Sequence, residues 1–314
     1  MIKVFTEAGK GIGFGHLTRC SALVEQLELQ GEEVELIVYL NEFEMDFSKF
    51  TQLDWLSQAP EKLLEGTAIA VFDSYLVTED WLEKASALHC KLIHIDDYNR
   101  IKYPVELIIN PNVFAEDLDY SNQHAKWVGG SEYVIIRAPF RDDKSIVQKI
   151  YRPQLLITMG GSDYRQLLPK LAKWAQNLEL FNVRMVAPDG LRDVGEKVKV
   201  LPLLNAEEMA REMKQADVVI SACGQTLHEL ASLRKPTIGI CLDIDQAPNH
   251  KFYNSNGFIR RNLWWNQADL KEGIEEELKR LSSYRERKNA IDRLKEFNPN
   301  GVNNVAKAIL KYKI

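Results

Sequence analysis

The 314-residue sequence predicts the α/β class, as two domains each wound around a parallel sheet. Three observations lead there. The length is about twice that of a typical domain, so two separate cores are the natural expectation. Short apolar runs rich in β-branched residues alternate with longer stretches of helical period in both halves, the pattern of βαβ units. Glycine-rich turns join strand-like to helix-like segments in each half.

In the first half, strands are expected over 2–5, 34–40, 69–72, 92–95, 107–109 and 133–136, with helices near 17–29 and 78–88. In the second, strands are expected over 154–159, 183–186, 198–201, 218–221 and 237–241, with helices over 164–176, 206–214, 226–233 and 268–281. The charged stretch Arg141-Asp142-Asp143-Lys144-Ser145, followed by Arg152-Pro153 ahead of a new buried strand, reads as the linker. The domains are therefore drawn as 1–149 and 150–298. After the break Asn298-Pro299-Asn300-Gly301, helical period resumes over 302–310, and this 299–314 segment is a candidate to pack back on the first domain.

Composition narrows the function classes. Hydrophobic residues at 45% and charged residues at 27% are ordinary for a globular protein and exclude disorder. The net charge of -5, with Lys and Arg scattered, leaves no basic footprint for nucleic acid or an anionic membrane. Cys20, Cys90, Cys223 and Cys241 lie far apart without metal spacing and read as reduced core thiols. The start Met1-Ile2-Lys3-Val4-Phe5 lacks secretory character, and no run approaches the roughly 20 apolar residues of a membrane span. A cytoplasmic location is expected, with no metal or cofactor; oligomeric state is open.

The strongest local feature is Gly9-Lys10-Gly11-Ile12-Gly13-Phe14-Gly15-His16, between the first strand and the first helix. Glycines let a ligand approach the backbone, and the helix start directs free N–H groups at it; such turns also serve merely to reverse the chain. His16, at the positive end of a helix dipole, is suited to stay neutral and accept a proton, or simply to bond a loop carbonyl. Arg19, one turn on, can pair a carboxylate or phosphate, or be an ordinary surface side chain. Asp73-Ser74-Tyr75 falls at the carboxyl end of a strand, where open parallel sheets hold ligands. Asp73 can orient His16 or a substrate hydroxyl, or cap the next helix; Tyr75 can donate to a sugar oxygen; Asp96-Asp97 invite the same readings as Asp73.

In the second half, Met159-Gly160-Gly161-Ser162-Asp163 and Cys223-Gly224-Gln225-Thr226-Leu227-His228-Glu229 are both strand-to-helix turns able to hold phosphate oxygens. Glu229 can reach paired ribose hydroxyls or be a solvated charge on an amphipathic helix. The polar segment Asp243-Ile244-Asp245-Gln246-Ala247-Pro248-Asn249-His250 exits another strand; His250 reads as structural. Trp264-Trp265 suggests a sugar-stacking platform, but adjacent strand residues point to opposite faces, which makes one of them core.

Ile12-Gly13-Phe14-Gly15-His16-Leu17-Thr18-Arg19 resembles the N-terminal signature of the UDP-2,4-diacetamido-2,4,6-trideoxy-β-L-altropyranose hydrolases of pseudaminic acid biosynthesis. Phe72-Asp73-Ser74-Tyr75, Ile95-Asp96-Asp97, Ile109-Asn110-Pro111-Asn112, Gly130-Ser131-Glu132-Tyr133 with Arg137, Met159-Gly160-Gly161-Ser162-Asp163, and Ser221-Ala222 with Glu229 match later segments in the same order, over residues 1 to about 260. The resemblance implies the GT-B architecture, two Rossmann-like domains facing a central cleft, with UDP held mainly by the second. It implies His16 as general base on the water that displaces UDP, with Asp73 and Tyr75 beside it. Gly13, Gly15, Arg19, Asn110, Tyr133, Arg137, Asp245 and Gln246 are carried over as sugar contacts, and Gly160, Gly161, Ser162, Gly224, Gln225, Thr226 and Glu229 as nucleotide contacts. The chain departs from the family at Asp245-Gln246, where an Asn-Gln pair is usual, and at Asn300-Gly301 with Asn303, where Asp-Gly and a following Arg are usual. A carboxylate accepts hydrogen bonds but cannot donate as an amide does, so the sugar recognised can differ. The alternative enzyme is a GT-B glycosyltransferase using a UDP-sugar; a binding protein without turnover is a third reading.

Overall fold

The computed structural model describes residues 1–42, 50–141, 149–161, 163–188, 191, 194–295 and 297–313. Contacts divide the chain into two compact units, Met1–Arg137 with Asn300–Ile314, and Ala138–Pro299. The division falls after Arg137, upstream of the boundary expected near residue 150, and 142–148 of the expected linker lie outside the described residues.

Unit 1 contains β1 (Ile2–Gly9), α1 (Gly15–Leu29), β2 (Val34–Asn41), β3 (Thr51–Gln52), α2 (Pro60–Leu63), β4 (Ile69–Asp73), α3 (Glu79–Ser86), β5 (Lys91–Ile95), β6 (Leu107–Asn110) and β7 (Lys126–Gly129). Its sheet runs in the order β3-β2-β1-β4-β5-β6-β7 and all pairings are parallel. Alternation along the strands builds two apolar layers. Val4, Val71, Ile93 and Ile109 face α1 and the last helix of the chain, Gly301–Leu310, whose Val305 and Ile309 join Leu23 and Leu27 of α1. Phe5, Phe72, Leu92 and Ile108 face the other way, against Trp55 and Trp81. There Phe5 stacks on Phe72 with centroids 5.1 Å apart, and the Trp55 indole N–H donates to the Thr6 carbonyl at 2.9 Å. Burial on both faces is what a continuous apolar strand such as β4 requires.

Unit 2 contains β8 (Gln154–Thr158), α4 (Leu168–Ala175), β9 (Asn182–Val186), β10 (Val198–Leu201), α5 (Ala206–Gln215), β11 (Val218–Ala222), α6 (Gln225–Ser232), β12 (Thr237–Cys241), α7 (Ala247–Ser255), β13 (Leu263–Trp264), α8 (Leu270–Leu281) and α9 (Tyr284–Asp292). The sheet order is β10-β9-β8-β11-β12-β13, again parallel throughout. Helix starts follow local chemistry. Asn205 and Glu208 form a reciprocal capping box at α5, both bonds 3.0 Å.

Two expected elements differ. Residues 133–136 form no strand: Ser131–Tyr133 is a single tight turn, and the edge strand is the preceding β7. The apolar run that follows is buried by the last helix instead, with the Asn304 amide donating to the Glu132 carbonyl at 2.9 Å and a Cβ on Gly301 only 2.4 Å from the Val134 carbonyl. The helix expected from 164 starts at Leu168, because the Asp163 carboxylate accepts from the Leu167 and Leu168 amides at 2.8 and 2.9 Å and holds the intervening turn open.

In each sheet the chain reverses its winding between two strands that are not consecutive, β1/β4 in unit 1 and β8/β11 in unit 2. In open parallel sheets such points are where the carboxyl ends of the strands hold ligands.

Candidate active site

The unit 1 switch point carries a buried charged cluster. The Gly-rich loop closes on itself through paired backbone bonds, the Gly13 amide to the Gly9 carbonyl at 2.8 Å and the Gly9 amide to the Gly13 carbonyl at 3.1 Å. That loop delivers Gly15 as the first residue of α1 and His16 as the second. β4 ends in Asp73, which is fully buried. The two meet, with His16 Nδ1 2.6 Å from Asp73 Oδ1. Arg19, one turn along α1, donates to Asp73 from Nε at 2.6 Å and from Nη2 at 2.5 Å, and the Cys20 thiol donates to Oδ2 at 3.2 Å.

Burial alone raises the Asp73 carboxyl, but the charge of Arg19, then that of His16 and their hydrogen bonds, hold it far below the usual carboxylate range. An ionised Asp73 only accepts, so Nδ1 of His16 carries a proton, and the tautomer this selects for an uncharged ring has its lone pair on Nε2. The 3.1 Å approach of Arg19 Nη2 to Nδ1 is therefore between two donors and is not a hydrogen bond. Asp73 thus orients the imidazole and presents Nε2 as an acceptor, the arrangement a general base needs.

The same guanidinium grips a second carboxylate: Asp97, after β5, accepts from Arg19 Nη1 at 2.7 Å and Nη2 at 3.0 Å, and from the Asn112 amide at 2.6 Å. Tyr75 donates its hydroxyl to Asp97 Oδ2 at 2.5 Å, and its ring meets His16 edge-on with centroids 4.4 Å apart. Desolvation, then the Asp97 charge, push the Tyr75 phenol far above its ordinary value. With its proton directed at Asp97, the Tyr75 oxygen has its lone pairs left to offer. Asp96 points elsewhere, accepting hydrogen bonds from the Tyr103 and Tyr120 hydroxyls at 2.5 Å each.

Asn110 is fully buried; its amide donates to the Tyr120 hydroxyl at 2.9 Å and its oxygen accepts from the Asn112 amides, so it shapes the loop that carries Asn112 to Asp97. Tyr133 is partly buried against the core shared by α1 and the last helix, and Arg137 closes the first segment of unit 1. Sequence reasoning missed Glu7. It is buried on β1, where it accepts from the Ser74 hydroxyl and from the Tyr75 amide at 2.7 Å, fixing the turn that aims Tyr75. A strand drawn to Gly9 rather than Phe5 places Glu7 at its carboxyl end, the signal that pointed to Asp73.

In unit 2 the β8 and β11 exits lie side by side: a Cβ on Gly160 would sit 3.5 Å from Thr226 Oγ1. Gly160 has φ 81°, a left-handed conformation that glycine adopts without strain. Gly224 precedes α6 and Gln225 and Thr226 open it, so the backbone N–H groups of the first helical turn point toward the exit of β11. Gly161 follows Gly160 in the same turn, and Ser162 lies outside the described residues. Glu229 is buried at 2% exposure, which overturns the solvated-charge alternative. Gln246 accepts with its side-chain oxygen from the Cys223 and Leu242 amides at 3.2 and 3.1 Å, tying together the exits of β11 and β12. Asp245 is exposed; partial burial, then the Asp243 charge, raise its carboxyl. His250 bonds the Arg261 carbonyl at 2.9 Å. The Trp265 ring is taken up by Arg165, whose guanidinium lies 4.5 Å from its centroid. Among the described residues no three or more His, Cys, Asp or Glu side chains gather as metal ligands, and no helix is long and apolar enough to cross a membrane.

The chain matches the family model described as glycosyltransferase family 28 C-terminal domain over residues 127–308. It is similar, at 24% identity over 264 residues, to the pseudaminic acid cytidylyltransferase and UDP-2,4-diacetamido-2,4,6-trideoxy-beta-L-altropyranose hydrolase of Helicobacter pylori, covering 83% of this chain and 48% of that protein. It is similar at 23% identity to an uncharacterized protein of Methanocaldococcus jannaschii, covering 76% of this chain and 54% of that one. The chain thus spans about half the length of the curated relatives it matches. Acinetobacter baumannii MurG shares the fold, with a TM-score of 0.69 at 16% identity over 99% of both chains. The two parallel-sheet units are those of the GT-B fold.

Proposed function

Because the chain belongs to the family of the glycosyltransferase family 28 C-terminal domain, we propose that it processes a UDP-linked sugar, and that it does so as a hydrolase. His16 Nε2 takes a proton from water, the water oxygen bonds to the anomeric carbon, and the bond from that carbon to UDP breaks. The observation that carries this reading is the pair formed by His16 and the ionised Asp73, bonded at 2.6 Å at the carboxyl end of β4. The turns at Gly160 and at Gly224 to Thr226 are assigned to the leaving diphosphate, where backbone N–H groups offset the developing charge. Glu229 is assigned to the ribose. The likeness to the Helicobacter pylori protein supports a UDP-linked diacetamido trideoxy sugar as substrate, in a pseudaminic-type pathway.

The test is incubation with UDP-2,4-diacetamido-2,4,6-trideoxy-β-L-altropyranose and no acceptor. UDP and free sugar are expected in equal amounts, and His16→Ala is expected to lower turnover by about 10²- to 10⁴-fold. Release of UDP only when an acceptor alcohol is supplied would instead identify a transferase, in which the same nitrogen deprotonates the acceptor. His16→Ala turning over like the wild type would remove the base.

A further inference from the structure

Arg19 is shared between two carboxylates that lie on different strands' exits, and only one of them touches His16. We propose that Asp97 is a positioning residue for the His16 base: it anchors the far side of Arg19 and the hydroxyl of Tyr75, and its charge leaves the cluster one positive charge short until the imidazole takes a proton. This rests on the reading of His16 as the base.

The geometry gives Asp97 two holds on the site and fixes Asp97 by a third contact. It takes two guanidinium bonds from Arg19 at 2.7 and 3.0 Å, so Arg19 cannot rotate away from Asp73 without breaking both. It takes the Tyr75 hydroxyl at 2.5 Å, which keeps that ring edge-on to His16. It is held in turn by the Asn112 amide at 2.6 Å, so its own rotamer is set. Few donors remain unmatched, as a pre-organised site requires.

Charge counting supplies the rest. With His16 neutral, Asp73 and Asp97 contribute two negative charges against the one of Arg19. Burial raises the Asp97 carboxyl, but the charge of Arg19 and its hydrogen bonds outweigh that and hold it ionised. When the base takes a proton, the group becomes neutral, so the charge that develops on His16 meets an environment already short of it. The count is of these four side chains alone. Tyr75 and the Cys20 thiol are both held protonated, and Glu7 reaches the loop from β1 with its oxygens on Ser74 and the amides of Tyr75 and Leu76.

The experiment compares Asp97→Asn, Asp97→Glu and His16→Ala with the wild type, reading kcat, KM and the pH profile of UDP release from UDP-2,4-diacetamido-2,4,6-trideoxy-β-L-altropyranose, with thermal unfolding alongside. Asp97→Asn is expected to lower kcat by about 10- to 100-fold with little change in KM, as loss of an orienting partner does elsewhere. Its acid limb is expected to move to lower pH by roughly one unit, because one negative charge beside the base is gone. Asp97→Glu keeps the charge and is expected to keep the limb in place while kcat falls. Should Asp97→Asn not fold, a displaced limb in Asp97→Glu overturns the charge assignment and an unmoved one supports it. A folded Asp97→Asn with an unmoved limb, while His16→Ala is inactive, overturns the proposal and leaves the base intact. An active His16→Ala overturns the base, and the role of Asp97 with it.

Discussion

Replacing Asp73 with Asn separates orientation from mere packing at the centre of unit 1. The wild-type carboxylate accepts four contacts, from His16 Nδ1 at 2.6 Å, Arg19 Nε at 2.6 Å, Arg19 Nη2 at 2.5 Å and Cys20 Sγ at 3.2 Å. An amide offers one accepting oxygen and turns an NH₂ toward donors, so at least one of these contacts becomes donor against donor. Each charge-assisted bond is worth about 1.5–3 kcal/mol, and Arg19 retains Asp97 as a partner, so the expected net loss of stability is about 3 kcal/mol at neutral pH. Turnover should fall by about 10²- to 10⁴-fold, because Nδ1 no longer has an anion to fix its tautomer. The pH dependence has a definite sign. Arg19 and His16 hold the folded carboxyl below its unfolded value near 4, so its contribution is complete above about pH 4 and is lost as pH falls through the folded value. Urea unfolding of the two proteins between pH 3 and 7 reads this directly, with the gap between them narrowing only at the acid end. A gap below about 0.5 kcal/mol at pH 7, or one that is unchanged at pH 3, would refute the assigned network.

Two further outcomes follow from buried groups outside the cluster. His94 on β5 is 1% exposed with no hydrogen-bond partner at either ring nitrogen, and burial pushes its pKa down to about 4. The unfolded imidazole binds protons from about pH 6.5 downward while the folded one does not, so His94 costs about 2 kcal/mol more at pH 5 than at pH 7. His94→Leu should flatten that part of the stability curve, and an unchanged slope in equilibrium unfolding would count against it. Gly9 has φ 119°, and a Cβ there would lie 2.2 Å from the Asn41 carbonyl oxygen. Gly9→Ala should therefore lose about 2 kcal/mol or more, and a melting temperature equal to the wild type would show that the loop and β2 do not approach so closely.

Most of the scaffold was legible because its strands are buried on both faces and read as unbroken apolar runs. β4, β11 and β12 are buried at every residue. β7 escaped notice because Lys126 and Trp127 face solvent at the sheet edge, while the more apolar 134–136 run drew the assignment although the last helix buries it. α7 escaped because Asp243 to Asn249 carries turn-forming residues at its start, and only the fold shows Pro248 in the first helical turn. At the site, strand ends and the glycine turn pointed to His16, Arg19, Asp73 and Tyr75. What sequence could not resolve was which of Asp96 and Asp97 turns toward Arg19, since neighbouring residues diverge and both have the same chemistry. Nor could it show that Gln246 and Asn110 spend their amides inside the protein, because hydrogen-bond partners distant in sequence decide that.

The last helix closes a core begun by α1, with Leu23 and Leu27 on one and Val305 and Ile309 on the other, while Ala138–Pro299 form a unit of their own. Unit 2 is thus spliced into unit 1 as one long insertion. A ribosome releases everything unit 2 needs before it releases the helix that covers α1, so the nascent first half carries an uncovered apolar stripe throughout that interval. Premature termination near residue 300 would leave unit 2 whole and strip unit 1 of its cover.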